Sequence, residues 1–237
     1  MGFFDSIAWP DLAAPAFFLL CWAGYSVYAD GPVGARASLM SRIHELRLIW
    51  MRRMLARDNR IGDMQVVMIL AQSNAFFAST SLLIIGGCLA ILGARDQAMT
   101  VLQEIPGVAA TPTFVWEMKV MLLVIVFVFA FFKLTWSLRQ FNYVAILIGA
   151  APPPEQAASA DGLRYAEIAA GVASRAAEHF NKAQRTYYFG LAALSWFLQP
   201  FLFMALTALV VLVAYRREFR SHTMTILGPV GAPIPGT

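Results

Sequence analysis

Four stretches of the chain are apolar over lengths that suit a lipid bilayer better than a globular core: residues 10–29, 64–93, 114–134 and 188–215. A hydrocarbon core takes about 20 residues of helix, so each stretch predicts a membrane-spanning helix. Between the first two, SRIHELRLIWMRRMLAR places Ile43, Leu46, Trp50 and Met54 at helical spacing, with Arg42, Arg47, Arg52 and Arg53 around the remaining surface. That pattern predicts a basic amphipathic helix over residues 41–57, lying on anionic headgroups at the inner leaflet. Past residue 134 no helix breaker occurs before Gly149 and the run APPPEQ, and from Asp161 a face of Ala166, Ala170, Ala173, Ala177 and Phe180 recurs at helical spacing. Small residues on one face allow close approach, so residues 135–187 predict a helical hairpin projecting into the cytoplasm, its tip at the prolines of 151–160. Residues 94–113 read as a short, partly ordered loop and 222–237 as a flexible tail. The expected fold is all-α: one polytopic helical bundle over residues 1–221, with four transmembrane helices of which the third and fourth extend into the cytoplasm.

Composition agrees, and charge adds direction. At 59 % hydrophobic and 14 % charged, the 237-residue chain is far from the balance of a soluble domain. Its net charge of +4 comes from basic residues outside the apolar runs, as topology requires, so nucleic acid is not an expected partner. Seven Lys or Arg lie in residues 30–63 and five in 139–187, against Arg95 and the tail residues Arg216, Arg217 and Arg220 on the other side. This places both long connections in the cytoplasm of a bacterial inner membrane, with both termini periplasmic; a fifth segment would reverse the C-terminus. MGFFDSIAW has no Lys or Arg, the first being Arg36, and carries Asp5, so the first run is expected to stay as a span and not to be cleaved as a signal peptide. Cys21 and Cys88 lie at different depths and read as packing residues.

Polar residues within the apolar runs are the candidate chemistry. Gln72, Ser73 and Asn74 are consecutive in the second span. At about 1.5 Å per residue Asn74 lies roughly 16 Å from Asp63, and Gln199 roughly 21 Å from Arg185, so the two amides are expected to share a mid-membrane layer. An unpaired amide in hydrocarbon costs several kcal/mol, which makes structural pairing the preferred reading over a transport path. Ala71, Ala75, Ser79 and Gly87 form a small-residue ladder beside Asn74, and Pro200 predicts a kink in the fourth helix. Asp63 and Arg185 are expected to pair or share a network at the inner boundary. His44 with Glu45 and His179 with Glu178 are weak metal candidates, lacking any HExxH or CxxC spacing, so no metal, cofactor or catalytic residue is assigned.

Four blocks, RDNRIGDMQ at Arg57, FFASTSLLIIGG at Phe76, FNKAQRTYYFGLAALSWFLQP at Phe180 and YRREF at Tyr215, resemble the bacterial and plant membrane family catalogued as domain of unknown function 599. The resemblance implies a small multi-pass protein of the plasma membrane with no established reaction. It maps the family's recurring residues onto Arg57, Asn59, Arg60, Asp63, Arg185, Tyr187, Tyr188, Pro200 and Arg217. The leading functional expectation is a non-enzymatic protein acting through helix association, as a homo-oligomer or as a subunit of a larger membrane complex. A channel or transporter for a small ion or polar solute is the alternative, and a metal-dependent or lipid-headgroup enzyme the third.

Overall fold

The computed structural model describes residues 9–31, 38–103 and 112–227. About 90 % of these are helical and none forms a strand, so the all-α class holds. In chain order the helices are α1 (Trp9–Asp30), α2 (Leu39–Leu55), α3 (Ile61–Gly93), α4 (Arg95–Gln103), α5 (Thr113–Gly149), α6 (Ala160–Leu194), α7 (Pro200–Phe219) and α8 (His222–Leu227). Four helical stretches are long and apolar enough to cross a membrane: α1, α3, α5 and Pro200–Leu227. Among the described residues two units form, one from 9–30, 78–103, 112–132 and 183–214, the other from 31, 38–77, 133–182 and 215–227, so that α3, α5 and α6, and the end of α7, each contribute a segment to both.

The first unit has an aromatic core in which Phe18 of α1 is central. Its ring lies 5.7 Å from that of Phe189 on α6 and 5.3 Å from that of Phe203 on α7. In one continuous helix those 14 positions would stand about 21 Å apart. The chain therefore doubles back between them. α6 ends at Leu194, Ser195–Phe197 makes a 3-10 turn in which Ser195 Oγ donates to the Ala192 carbonyl, and Trp196 stacks on Phe203 at 5.3 Å. Pro200 thus opens a new helix, at the position where a missing N–H is tolerated, instead of kinking one helix that runs through residues 188–215. A Cβ on Gly190 would meet the Phe127 ring at 2.9 Å, so glycine is what lets α5 and α6 close together.

In the second unit the core is built from small and flexible side chains. Ala166, Ala169, Ala170, Ala173 and Ala176 of α6 pack with Phe141, Val144 and Ile148 of α5 and with Met51, Met54 and Leu55 of α2. The expected alanine face is present, shifted so that Ala169 and Ala176 join it while Ala177 is only half-buried. Two bonds fix the antiparallel register of α5 and α6: Ser137 Oγ donates to the Ala176 carbonyl at 2.6 Å, and the Tyr165 hydroxyl to that of Leu147 at 2.7 Å. The buried stripe of α2 is Met51, Met54 and Leu55; Leu46, expected on that face, is turned outward. Residues 222–227, expected within the flexible tail, form α8, which packs on α2; the rest of that tail lies outside the described residues. Residues 95–103, expected as loop, are helical.

Along its whole length α3 buries a single seam, Asp63, Val67, Asn74, Ala78, Ser81 and Cys88, at the three-and-four spacing of a coiled-coil contact. The ladder expected to pack within the bundle falls elsewhere: Ala71 and Ala75 are half-buried, and Ser79 and Gly87 are exposed.

Two glycines of α6 separate a required from a replaceable glycine. A Cβ on Gly162 would collide with the backbone carbonyl of Gln156, whereas Gly171 has open space. Gly162→Ala is expected to cost about 1–3 kcal/mol. Gly171→Ala is expected to gain about 0.5–1 kcal/mol through its helix preference. Thermal unfolding in detergent tests both signs.

Candidate functional site

The block RDNRIGD turns the chain from α2 into α3, and each polar residue in it has a task. Asn59 Oδ1 accepts the Ile61 N–H at 2.9 Å, a local turn that starts α3. Arg60 Nη1 donates to the Ala151 carbonyl at 2.9 Å and Nη2 to that of Pro152, so its guanidinium caps the C-terminal end of α5, where cations are favoured. Asp63, 3 % exposed, accepts on Oδ1 from Trp50 Nε1 at 2.7 Å and from Arg57 Nη1 at 2.6 Å. Its Oδ2 is buried without a partner. Beside this network runs an open groove of about 690 Å³ bordered by Asn59, Arg60, Met64, Met68 and Ile148.

The other boundary residues belong to the first unit. Arg185, almost fully buried, donates to Asp30 Oδ1 at 2.9 Å and lies over the Tyr25 ring at 5.3 Å. The hydroxyls of Tyr187 and Ser81 are 2.7 Å apart, and Tyr188 is half-buried on the same helix. Asp63 is held by Trp50 and Arg57 in the second unit, and Arg185 by Asp30 in the first.

Asn74 is buried, donates Nδ2 to the Leu70 carbonyl of its own helix at 2.8 Å, and leaves Oδ1 unpartnered. Gln72 and Ser73 face outward, Ser73 Oγ bonding back to the Ile69 carbonyl. Gln199 is exposed on the turn between α6 and α7.

One charged cluster was missed by sequence reasoning. Lys119 of α5, 4 % exposed, has Nζ 3.8 Å from Asp11 Oδ1 and 5.6 Å from the centre of the Trp196 ring. Trp196 Nε1 donates to the same Asp11 oxygen at 3.0 Å, and Trp116 Nε1 nearby on α5 is buried and unpartnered. The partners are more than 70 residues apart in sequence, so no local pattern announces them; a lysine six residues inside an apolar run was the available signal.

His44 Nδ1 is bonded to Ser174 Oγ at 2.7 Å, and Glu178 pairs with Arg175 at 3.7 Å. Burial, reinforced by Lys133 and Lys182, holds His179 below the usual histidine range. Among the described residues no three His, Cys, Asp or Glu side chains gather in a way that could hold a metal ion.

The family model described as "Protein of unknown function, DUF599" matches residues 13–223, most of the chain. The chain belongs to the DUF599 family. No curated protein and no solved structure matches it. In this DUF599 protein, seven of the nine residues that the resemblance had marked are Arg57, Asn59, Arg60, Asp63, Arg185, Tyr187 and Tyr188. The first four make one turn, and Arg185 and Tyr187 tie α6 to Asp30, Tyr25 and Ser81.

Removing the indole donor of Trp50 while keeping its ring-like bulk isolates the Asp63 bond. Trp50→Phe is expected to cost about 1–3 kcal/mol, since Asp63 stays buried with one donor fewer. Arg52→Gln, which breaks only an exposed pair with Glu167 at 3.8 Å, is expected to stay within about 0.5 kcal/mol. Equal midpoints for the two variants in chemical denaturation would remove the network from the account of stability.

Proposed function

We propose that this DUF599 protein is a non-enzymatic, multi-pass membrane protein that works by helix association, first with further copies of itself, and that α3 is its association surface. One observation carries the reading: α3 uses one seam within the chain and leaves a face of small and polar residues open. Gln72, Ser79, Gly86 and Gly93 recur at seven-residue intervals and all are exposed; Gly86 and Gly93 would admit a Cβ without contact. A seven-residue repeat forms one stripe along a left-handed helix pair, and small residues on it let two backbones approach. The outward Gln72 amide is costly in hydrocarbon unless bonded, and a symmetric partner supplies a matching amide. An accessory role in a larger complex would use the same face.

The topology that goes with this reading has five crossings of a bacterial inner membrane, the turn at residues 195–199 sending α7 back toward the cytoplasm. Arg216, Arg217 and Arg220 then join the twelve basic residues of the two long connections, leaving Arg95 alone outside among the connecting residues. The far ends of α5 and α6 form the cytoplasmic hairpin, the N-terminus is outside and the C-terminus inside. A second reading, a channel or transporter, draws on the buried Lys119–Asp11 pair, because ionisable groups within apolar helices commonly serve transport.

Two measurements test the proposal. A fluorescent protein fused after Thr237 should fluoresce, and alkaline phosphatase at the same point should be inactive; the opposite result returns the C-terminus to the periplasm. With Cys21 and Cys88 replaced by alanine, Ser79→Cys and Gly86→Cys should each yield disulfide-linked dimers in membranes while Ala78→Cys, on the buried seam, does not. A monomer in native mass spectra from nanodiscs, with no cross-link from either position, defeats self-association.

A further inference from the structure

Just past its most apolar stretch, α5 holds one exposed arginine in a fixed place. Arg139 donates Nε to the Tyr143 hydroxyl at 2.6 Å, one turn ahead of it. Its guanidinium carbon lies 5.7 Å from the centre of the Trp136 ring, one turn behind, and 5.8 Å from that of Tyr143. Positions three and four apart share a helix face, so the three side chains form one cluster on α5, inside the second unit. All are open to the surroundings, Trp136 by 50 % and Tyr143 by 42 %. Rings within about 6 Å of a cation attract it, and that attraction opposes the rotamer freedom an exposed arginine ordinarily keeps. With Nε committed to Tyr143, the edge carrying Nη1 and Nη2 is left. Among the described residues no carboxylate pairs with Arg139, and neither Nη group has a hydrogen-bond partner.

Two N–H donors in one plane match two oxygens of a phosphate or a carboxylate. Depth selects the phosphate of a lipid. The stretch VMLLVIVFVFAFF that precedes Lys133 carries no charge. Counted from Thr113, a hydrocarbon core of about 30 Å ends near Lys133, which leaves Trp136 and Arg139 about 5–10 Å beyond it, at headgroup level, where Trp and Tyr concentrate. Long side chains on a helix lean toward its N-terminal end, here the side of the apolar span, so Arg139 reaches back over Trp136 toward the lipid. We propose that Trp136, Arg139 and Tyr143 form a clamp for the phosphate of an anionic phospholipid in the cytoplasmic leaflet. The rings hold the guanidinium, and its open edge takes two phosphate oxygens. A choline headgroup gains less, because the rings that could receive its trimethylammonium already carry Arg139 and no acid of the cluster meets it. The choice of leaflet rests on the topology proposed above; the clamp is independent of self-association.

The test uses the full chain in nanodiscs of mixed phosphatidylcholine and phosphatidylglycerol, read by native mass spectrometry. The wild-type protein should retain phosphatidylglycerol over phosphatidylcholine. Arg139→Gln should weaken that retention about tenfold through loss of a bidentate, charge-assisted contact. Arg139→Lys should keep only a minor part of it, since an ammonium preserves the charge but neither the paired donors nor the fit to the rings. Tyr143→Phe, which releases Nε and leaves the ring, should weaken it by about two- to threefold. Retention by Arg139→Lys equal to wild type reduces the site to diffuse charge and overturns the clamp. Binding of inorganic phosphate that Arg139→Gln abolishes, with no preference between the lipids, overturns the lipid assignment. Absence of any phosphatidylglycerol preference in the wild-type spectra overturns the proposal without recourse to a variant, and copy number in the same spectra reports separately on self-association.

Discussion

Helix length against bilayer thickness is the constraint from which the rest of this structure follows. α3, α5 and α6 have 33, 37 and 35 residues. At about 1.5 Å per residue each is some 50 Å long or more, while a hydrocarbon core is about 30 Å thick. Apolar solvation by lipid accounts for only part of each helix, so the remaining turns need protein partners. The same three helices accordingly serve two cores of different kinds. One is filled by large rings, Phe18, Trp116, Phe127, Phe189, Trp196 and Phe203, that interlock at edge and stack distances. In the other, alanines let backbones come close enough for Ser137 and Tyr165 to reach carbonyls of the neighbouring helix.

Polar groups inside such cores act as positional pins. Taking charges out of water costs several kcal/mol per ion, and apolar replacements often do as well or better for stability, so a buried pair is better explained by the arrangement it selects. Trp50 and Arg57 converging on one oxygen of Asp63 allow α2 and α3 a single angle at the RDNRIGD turn. Trp196 and Lys119 converging on Asp11 do the same for the start of α1 against the turn that ends α6. Both acids sit in the first turn of their helices, where the unpaired backbone N–H groups also favour negative charge.

The spans over α1, α3 and α5 were legible because hydropathy over 20 residues is a one-dimensional quantity. So was the alanine face of α6, which needs only helical periodicity, and the polar cluster at RDNRIGD, whose partners mostly lie within a few turns. The reversal at residues 195–199 was not. A Gln-Pro step reads alike as a kink within a helix and as the start of a new one, and what decides between them is Phe18 binding Phe189 and Phe203 together, a contact between residues more than 170 positions apart. The burial of α3 failed for a related reason. Small residues recur on two of its faces, Ala78 and Ser81 on one, Ser79 and Gly86 on the other, and periodicity cannot say which face the chain itself will use.

That second face explains why the association reading falls on α3 and not on α1, which also has an open side. The exposed residues of α1 include Leu12, Leu19, Leu20 and Val27, branched side chains that lipid tails solvate as well as another helix would. Burying them against protein gains little, because hydrocarbon offers no hydrophobic drive. The open stripe of α3 is the reverse case. Ser79, Gly86 and Gly93 leave a shallow groove that flexible lipid chains fill poorly and a second backbone fills well, and Gln72 at one end has hydrogen-bonding capacity that hydrocarbon cannot meet. Packing and one amide bond are small terms taken singly, about 0.6 kcal/mol for an average interhelical bond in a bilayer. Repeated by symmetry across a pair of 33-residue helices, they are the terms that decide which surfaces of a membrane protein meet each other and which stay with lipid.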